Sequence, residues 1–447
     1  MTASVRFDEA LARAVEWVQA HRCAHGREAL LLRDLSGHLR VLTDADGAPS
    51  DEERAALHEA LGAFSPGPRG LWLERSLVGT EEELARDRVR LDDHLWLIDR
   101  LVTEQGWNRA PVSPPATVPR ITFFGVKGGV GRSTALVALA LHLARVGKRV
   151  MVVDLDLESP GVTSQLLRTE DLPPFGVTDW IVEDAVGQAD EAVLEDMVTR
   201  SAAVGPDDRG EVLVVPAVGS RSIPADEPED LPASLRDGSF VAKLGRAYMP
   251  GAADTDFAGR LGRMLGALES KHRPDVVLLD SRAGLHDISA ATVPRLGGTV
   301  LLFAGPTAQT WLAYRLMFST WRRDATVLWR FRARLRVVAA QVPEIGRAPY
   351  LDRVRDEAYA LFSSFVYEPD PAAESHAEAA FNFALTDPDG PHHPLPVYWR
   401  RELVEWEPCT GGSVTSEQFD AAFGPFLRGV MALPYVAELT ATPEGAP

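Results

Sequence analysis

Apolar residues follow two different rhythms along this chain, and the change falls near residue 120. Before it the patterns are short and amphipathic. Phe7 to His21 carries apolar residues three and four apart, which predicts a helix. The stretch EALLLRDLSGHLRVLTDADG holds two alternating runs around Ser36-Gly37, a hairpin signal. Ser50 is placed to cap a helix from Asp51 to Leu61. GLWLERSL reads as a short strand. Thr80 to Trp107 reads as a long charged helix with an apolar stripe through Leu84, Val89, Leu91, Leu95, Ile98 and Leu101.

From Arg120 onward the apolar runs become unbroken: ITFFGV, RVMVVDLDL, EVLVVPAV, DVVLLD, TVLLFAG and LRVVAAQV. Strands buried on both faces of a parallel sheet look like this. Helical stretches separate them at Ser133–Val146, Phe257–His272, Ala308–Trp321 and Leu351–Phe365. The expected fold is therefore α/β, a doubly wound and mostly parallel sheet, preceded by a small α+β domain. A last helix, Glu417 to Met431, is expected to pack back on the sheet. PVSPPATVP, Pro111 to Pro119, is a stiff spacer. The expected boundaries are 1–110, 111–119 and 120–440. Residues 218–240, polar, acidic and Pro-rich, read as an irregular excursion.

Composition narrows the function classes. Hydrophobic residues make up 45% and charged residues 25%, so wholesale disorder is excluded. No stretch approaches the ~18–20 apolar residues of a membrane span. The N-terminus lacks an apolar core, so no secretory signal is expected. Cys23 and Cys409 are the only cysteines, which fits a reducing cytoplasm. His21, Cys23 and His25 lack further ligands nearby and read as a solvated helix end, and His392-His393 reads as a loop. The net charge of −18 argues against coating nucleic acid or anionic lipid by bulk charge. Only four lysines occur, Lys127, Lys148, Lys243 and Lys271, against 42 arginines.

The strongest chemical signal is ITFFGVKGGVGRSTAL, Ile121 to Leu136. A buried strand runs into a glycine-rich turn and then into a helix. Gly128, Gly129 and Gly131 let the backbone curl with its N–H groups inward, and the helix N-terminus adds a positive dipole. That cradles nucleotide phosphates. Ser133 stands where a hydroxyl would ligate Mg²⁺, with Thr134 beside it. Two carboxylate-bearing strand ends accompany it. VMVVDLDLES places Asp154, Asp156 and Glu158 at alternate positions, suited to Mg²⁺ waters or an attacking water. VVLLD ends in Asp280, a Walker B pattern whose carboxylate holds Mg²⁺ through water. Gly284 would let the following loop move. Arg282 is open between a phosphate or partner contact and plain solvation.

The run KGGVGRST resembles the deviant P-loop of the ParA/MinD family of partitioning and septum-placement ATPases, in a KGGVGR variant. The resemblance covers roughly residues 120–435. It implies ATP and Mg²⁺ as ligands, held along Val126, Gly128, Gly129, Val130, Gly131, Arg132, Ser133 and Thr134, with Gln341 to Pro343 bordering the base. Lys127 matches the family's signature lysine, which reaches the partner's phosphates in a nucleotide-sandwich dimer. Asp156 matches the switch I aspartate that positions water. The resemblance thus implies Lys127, Arg132 and Asp156 as catalytic residues, with metal on Ser133, Asp154, Asp156 and Asp280. Two departures stand out. Val126 replaces the opening glycine, and Arg132 replaces the P-loop lysine. Three readings of Arg132 stay open: slow hydrolysis, tight binding with little turnover, and a degenerate site.

Trp311 to Arg336 is the one strongly basic patch, with arginines at 315, 322, 323, 330, 332, 334 and 336 and interleaved Trp311, Tyr314, Trp321 and Trp329. Such a patch suits DNA, a protein partner or a solvated face. The C-terminus lacks a basic amphipathic helix, so no membrane anchor is expected. The expected function is an ATP- and Mg-dependent switch, a slow ATPase whose nucleotide-controlled homodimer regulates a protein partner. The alternatives are a non-hydrolysing ATP sensor in a bacterial defence or conflict system and a partition-type DNA-dependent ATPase.

Overall fold

The computed structural model describes residues 5–21, 29–43, 49–86, 88–100, 106–112, 116, 118–205, 208–223, 239–248, 256–322, 325–368, 381–410 and 414–437. The chain divides into two compact units, Met1–Thr103 and Glu104–Pro447.

In the first unit the helix Phe7–Ala20 is followed by strands β1 (Ala29–Arg33) and β2 (Leu39–Thr43). They pair antiparallel across the Ser36-Gly37 turn, where the Asp34 carboxylate accepts from the Ser36 and His38 amides. The helix Asp51–Leu61 starts as expected, with Ser50 and Glu53 capping each other's backbone. β3 (Trp72–Glu74) follows. The long helix expected from Thr80 to Trp107 does not form. A short helix, Glu81–Arg86, leads into β4 (Arg88–Asp92) and β5 (Leu95–Asp99), which pair antiparallel. Arg88-Val89-Arg90-Leu91-Asp92 alternates with period two, and Asp92-Asp93-His94 makes a turn, with the His94 amide donating to Asp92. The sheet order is β3-β2-β1-β5-β4. One face buries Leu31, Val41 and Leu97 under Ala10, Ala14 and Val18; the other gathers Leu30, Leu32, Ile98 and Leu84. His21 stacks on Trp17, while Cys23 and His25 lie outside the described residues.

The second unit is built on eight strands. They are β6 (Arg120–Gly125), β7 (Arg149–Leu155), β8 (Thr199–Arg200), β9 (Glu211–Val215), β10 (Val276–Ser281), β11 (Thr299–Ala304), β12 (Leu335–Val342) and β13 (Leu395–Tyr398). The order is β13-β12-β11-β6-β10-β7-β9-β8, parallel throughout except between β8 and β9. β6, β10 and β11 are buried along their whole length, so their unbroken apolar runs reflect helices on both faces. Arg132–Arg145 and Ser416–Met431 cover one face, where Phe426 meets Phe123 and Phe303. Ala308–Arg322 and Arg347–Phe365 help cover the other, around Phe318, Trp321 and Phe362.

The segment 106–112 packs within this unit. Trp107 is buried and accepts a hydrogen bond from the Trp321 indole, and Val112 donates to Arg295 O. Residues 113–115 and 117 of the Pro-rich segment and residues 224–238 of the acidic excursion lie outside the described residues. At the opposite ends of the strands from the phosphate loop, Arg120 and Glu269 form a buried ion pair at 2.6 Å, and Arg120 also donates to Leu296 O. It fixes β6 against its neighbours before the chain reaches the loop.

Candidate functional site

Strands β6, β7, β10 and β12 bring their C-terminal ends to one edge of the sheet, where open α/β folds bind ligands. β6 ends at Gly125, and the chain turns through 126–131 before the helix Arg132–Arg145 begins. Gly129 and Gly131 lie at φ +71° and +79°, a region where a side chain would be strained. No protein atom stands within 4 Å of where a side chain on Gly128 or Gly129 would begin. The loop backbone is therefore open to a ligand, and the helix dipole favours an anion there. Gln341, at φ +52°, donates its amide to Gly129 O at 2.8 Å and ties the end of β12 to the loop. Across the loop, Gly284 N donates to Gly125 O. Val126, Val130, Thr134 and Pro343 are half-buried, and Val130 packs on the core beneath. Lys127 is exposed and makes no hydrogen bond or ion pair among the described residues.

Arg132 turns inward. Its Nε donates to Asp280 Oδ1 at 2.7 Å, and its terminal nitrogen donates to Asp156 Oδ2 at 2.9 Å. Ser133 Oγ donates to the second Asp280 oxygen at 2.6 Å. The guanidinium is 7% exposed and the Asp280 carboxylate 0%. Burial works against the charge of Arg132, but Asp280 and Asp156 outweigh it, and its pKa lies above the usual arginine value. Burial raises the Asp156 pKa above the usual range, against the pull of Arg132. Both carboxylates thus face a cation that stays charged.

Asp154 stands near the C-terminal end of β7. It is fully buried, and its oxygens accept from Thr163 N, Thr163 Oγ1 and Asp156 N at 2.9, 2.7 and 3.1 Å. Burial, reinforced by Asp280, pushes its pKa up to about 7. These bonds shape the turn after β7. Thr163, which nothing in the sequence singled out, also accepts from Ala217 N at 3.2 Å. Thr163→Val keeps the shape but removes one of the two donors to Asp154 Oδ2 and strands the Ala217 amide. It should cost about 1–3 kcal/mol, seen as a lower urea midpoint at unchanged slope; an unchanged midpoint would count against this bridge.

A second cluster lies beside the first. Arg282 pairs with Glu158 and donates to His286 Nε2 at 2.8 Å, and Tyr248 donates to Glu158 at 2.8 Å. Because Nε2 accepts, His286 is neutral with its proton on Nδ1, and burial followed by Arg282 lowers its pKa. Burial and Glu158 hold the Tyr248 hydroxyl above its usual range. Arg282, left open above, therefore links the loop after β10 to the turn after β7. Tyr248 and His286 carried no sequence signal.

The basic patch is less suited to stacking than its composition suggests. Trp311, Tyr314 and Trp321 are core residues, because their spacing of three and seven turns them to the buried face of one helix. Trp329 is 60% exposed, with the Arg332 guanidinium 5.1 Å from its ring centre. Arg315 and Arg332 pair with Glu357 and Glu368, Arg322 and Arg330 are exposed, and Arg323 lies outside the described residues. Buried His392 in its loop bonds Tyr367 and Leu385 O.

Among the described residues no helix is long and apolar enough to cross a membrane. None of their clusters gathers three or more His, Cys, Asp or Glu able to hold a metal ion. A phosphate-bound Mg²⁺ asks less of the protein, because phosphates and waters fill most of its shell. Ser133 and Asp280 supply hard oxygen donors, and a guanidinium already stands between Asp280 and Asp156 as a cation.

Residues 118–202 match the family model described as an AAA domain. The chromosome-partitioning ATPase Soj of Thermus thermophilus is 46% identical over 55 residues, 12% of this chain and 22% of Soj. The signal recognition particle protein of Synechococcus elongatus is 27% identical over 143 residues, 26% of this chain and 29% of that protein. The chain thus spans less than a third of either relative. Among solved structures, pNOB8 ParA bound to nonspecific DNA superposes with TM-score 0.42 at 16% identity, covering 72% of this chain and 98% of that one. Cobyrinic acid a,c-diamide synthase of Mycobacterium smegmatis, with an ATP analog and magnesium bound, gives 0.36 at 17%, covering 58% and 89%.

Proposed function

We propose that this chain carries a P-loop ATPase domain of the ParA/MinD type, as the matches over residues 118–202 and to Soj support, and that it is an ATP- and Mg-dependent switch whose nucleotide state controls dimerisation and, through it, a protein partner. The observation that carries the reading is the cluster at the loop's end. There Ser133, Asp280, Asp156 and a cationic residue of the P-loop converge within hydrogen-bond distance. The backbone of Gly128, Gly129 and Gly131 would hold the phosphates, with Gln341 and Pro343 at the base side. Ser133 and Asp280 would hold Mg²⁺, which neutralises phosphate charge when bound. Asp156 would orient the attacking water, and Lys127 would act across the dimer. Residues 120–440 form the ATPase domain in this reading, and residues 1–110 a small α+β module.

The alternative without turnover draws on the same cluster. An arginine engaged with two carboxylates is not free to stabilise charge that develops on a transferring phosphoryl group. Phosphate release by the full chain decides between them. We expect slow Mg-dependent release, unchanged by DNA. No release, together with ATP-dependent dimerisation, would make the protein a sensor. DNA-stimulated release that is lost on reversing the charges of Arg330, Arg332, Arg334 and Arg336 would instead make it a partition-type ATPase.

A further inference from the structure

Arg132 occupies an unusual place for a P-loop cation. It begins a helix whose N-terminus opens toward the phosphate loop, yet its guanidinium is buried against carboxylates. The space between Asp280 and Asp156 is thereby filled and its charge offset, with Ser133 closing the remaining Asp280 oxygen. Mg²⁺ coordinates oxygens at about 2.0–2.1 Å, so it and the guanidinium cannot share the same carboxylate faces. They would also repel each other in a site screened from water. Arginine, however, has a second class of partner. Its planar fork matches phosphate oxygens as well as carboxylate oxygens.

We propose that Arg132 is a two-position residue: it holds Asp280 and Asp156 while nucleotide is absent, and yields them to a divalent cation when nucleotide phosphates offer its guanidinium other oxygens. This inference rests on the site being one for Mg-nucleotide, and it adds an order to that reading. Metal alone is excluded by the tethered cation. Nucleotide removes the competitor, so nucleotide and metal binding reinforce each other, and by linkage each raises the other's affinity equally. Ser133 and Asp280 stay in contact across the exchange, so the loop has little else to rearrange.

The test uses Mn²⁺ and the nucleotide-free full chain, followed by the electron paramagnetic resonance signal of unbound Mn²⁺. The wild type should leave the metal free. Arg132→Gln removes the charge, keeps a hydrogen-bond donor for Asp280, and should bind Mn²⁺ tighter by about tenfold or more, in the usual range of a coupling between two binding events. Arg132→Met removes the same charge with a side chain that fills the space, and serves if the glutamine variant does not fold. Arg132→Lys keeps a cation and should stay near the wild type. Equal Mn²⁺ binding by the wild type and both neutral variants would overturn the proposal, as would lysine and glutamine variants that bind alike. Because no nucleotide enters this titration, its failure removes the exchange alone. A wild type that binds no ATP would instead remove the functional reading.

Discussion

Asp280→Ala should lower the unfolding free energy by about 3–5 kcal/mol, the usual cost of removing one member of a buried ion pair. The reason lies in what is left behind. The guanidinium of Arg132 would keep only Asp156 as a charged partner while remaining in a pocket where it is 7% exposed. Ser133 Oγ would lose its acceptor as well. Most of the loss is therefore the penalty of a stranded cation, not the worth of the pair. A double-mutant cycle separates the two. Asp280→Ala combined with Arg132→Met removes both charges and should recover much of the stability lost by Asp280→Ala alone. Urea denaturation followed by circular dichroism reads both steps. If Asp280→Ala left the midpoint in place, the buried network at the loop's end would not exist as described.

Lys127→Ala should leave folding and ATP binding intact and abolish nucleotide-dependent dimerisation. Lys127 is exposed, makes no hydrogen bond or ion pair among the described residues, and precedes glycines that leave open space before them. Its removal therefore costs the monomer little. In a chain with four lysines and 42 arginines, an ammonium here is notable, since a compact charge can approach phosphate where a forked guanidinium is bulkier. A two-fold dimer uses each lysine once on the partner's phosphates. At about 1.5–3 kcal/mol for each charged hydrogen bond, losing two weakens the dimer by about a hundredfold or more. Lys127→Arg should restore only part of it. Sedimentation of the variant with ATP and Mg²⁺ reads the outcome, and an unchanged dimer would end the role proposed for Lys127 in trans.

The parallel sheet was legible because burial on both faces leaves unbroken apolar runs, such as Val276–Leu279 and Thr299–Ala304. β13 was not, since Leu395-Pro396-Val397-Tyr398 is a short edge strand with a proline. The stripe from Leu84 to Leu101 fits a helix on paper, because spacings of two to five satisfy either period. The turn at Asp92-Asp93-His94 and the pairing with β1 decide it. At the site, the identity of Arg132, Ser133, Asp156 and Asp280 could be read from motif and spacing. The destination of the Arg132 side chain could not, because the choice between phosphate and carboxylate depends on three strands meeting. The same holds for Thr163 and for the Tyr248–Glu158–Arg282–His286 cluster, whose members come from three separate stretches of the chain.

In the proposed function, nucleotide bound at the loop 126–134 sets the oligomeric state. Analytical ultracentrifugation of the wild-type chain with ATP and Mg²⁺, and again with ADP and Mg²⁺, tests it most directly. A dimer is expected in the first case and a monomer in the second. A single sedimenting species of the same mass in both, with ATP shown to be bound, would contradict it.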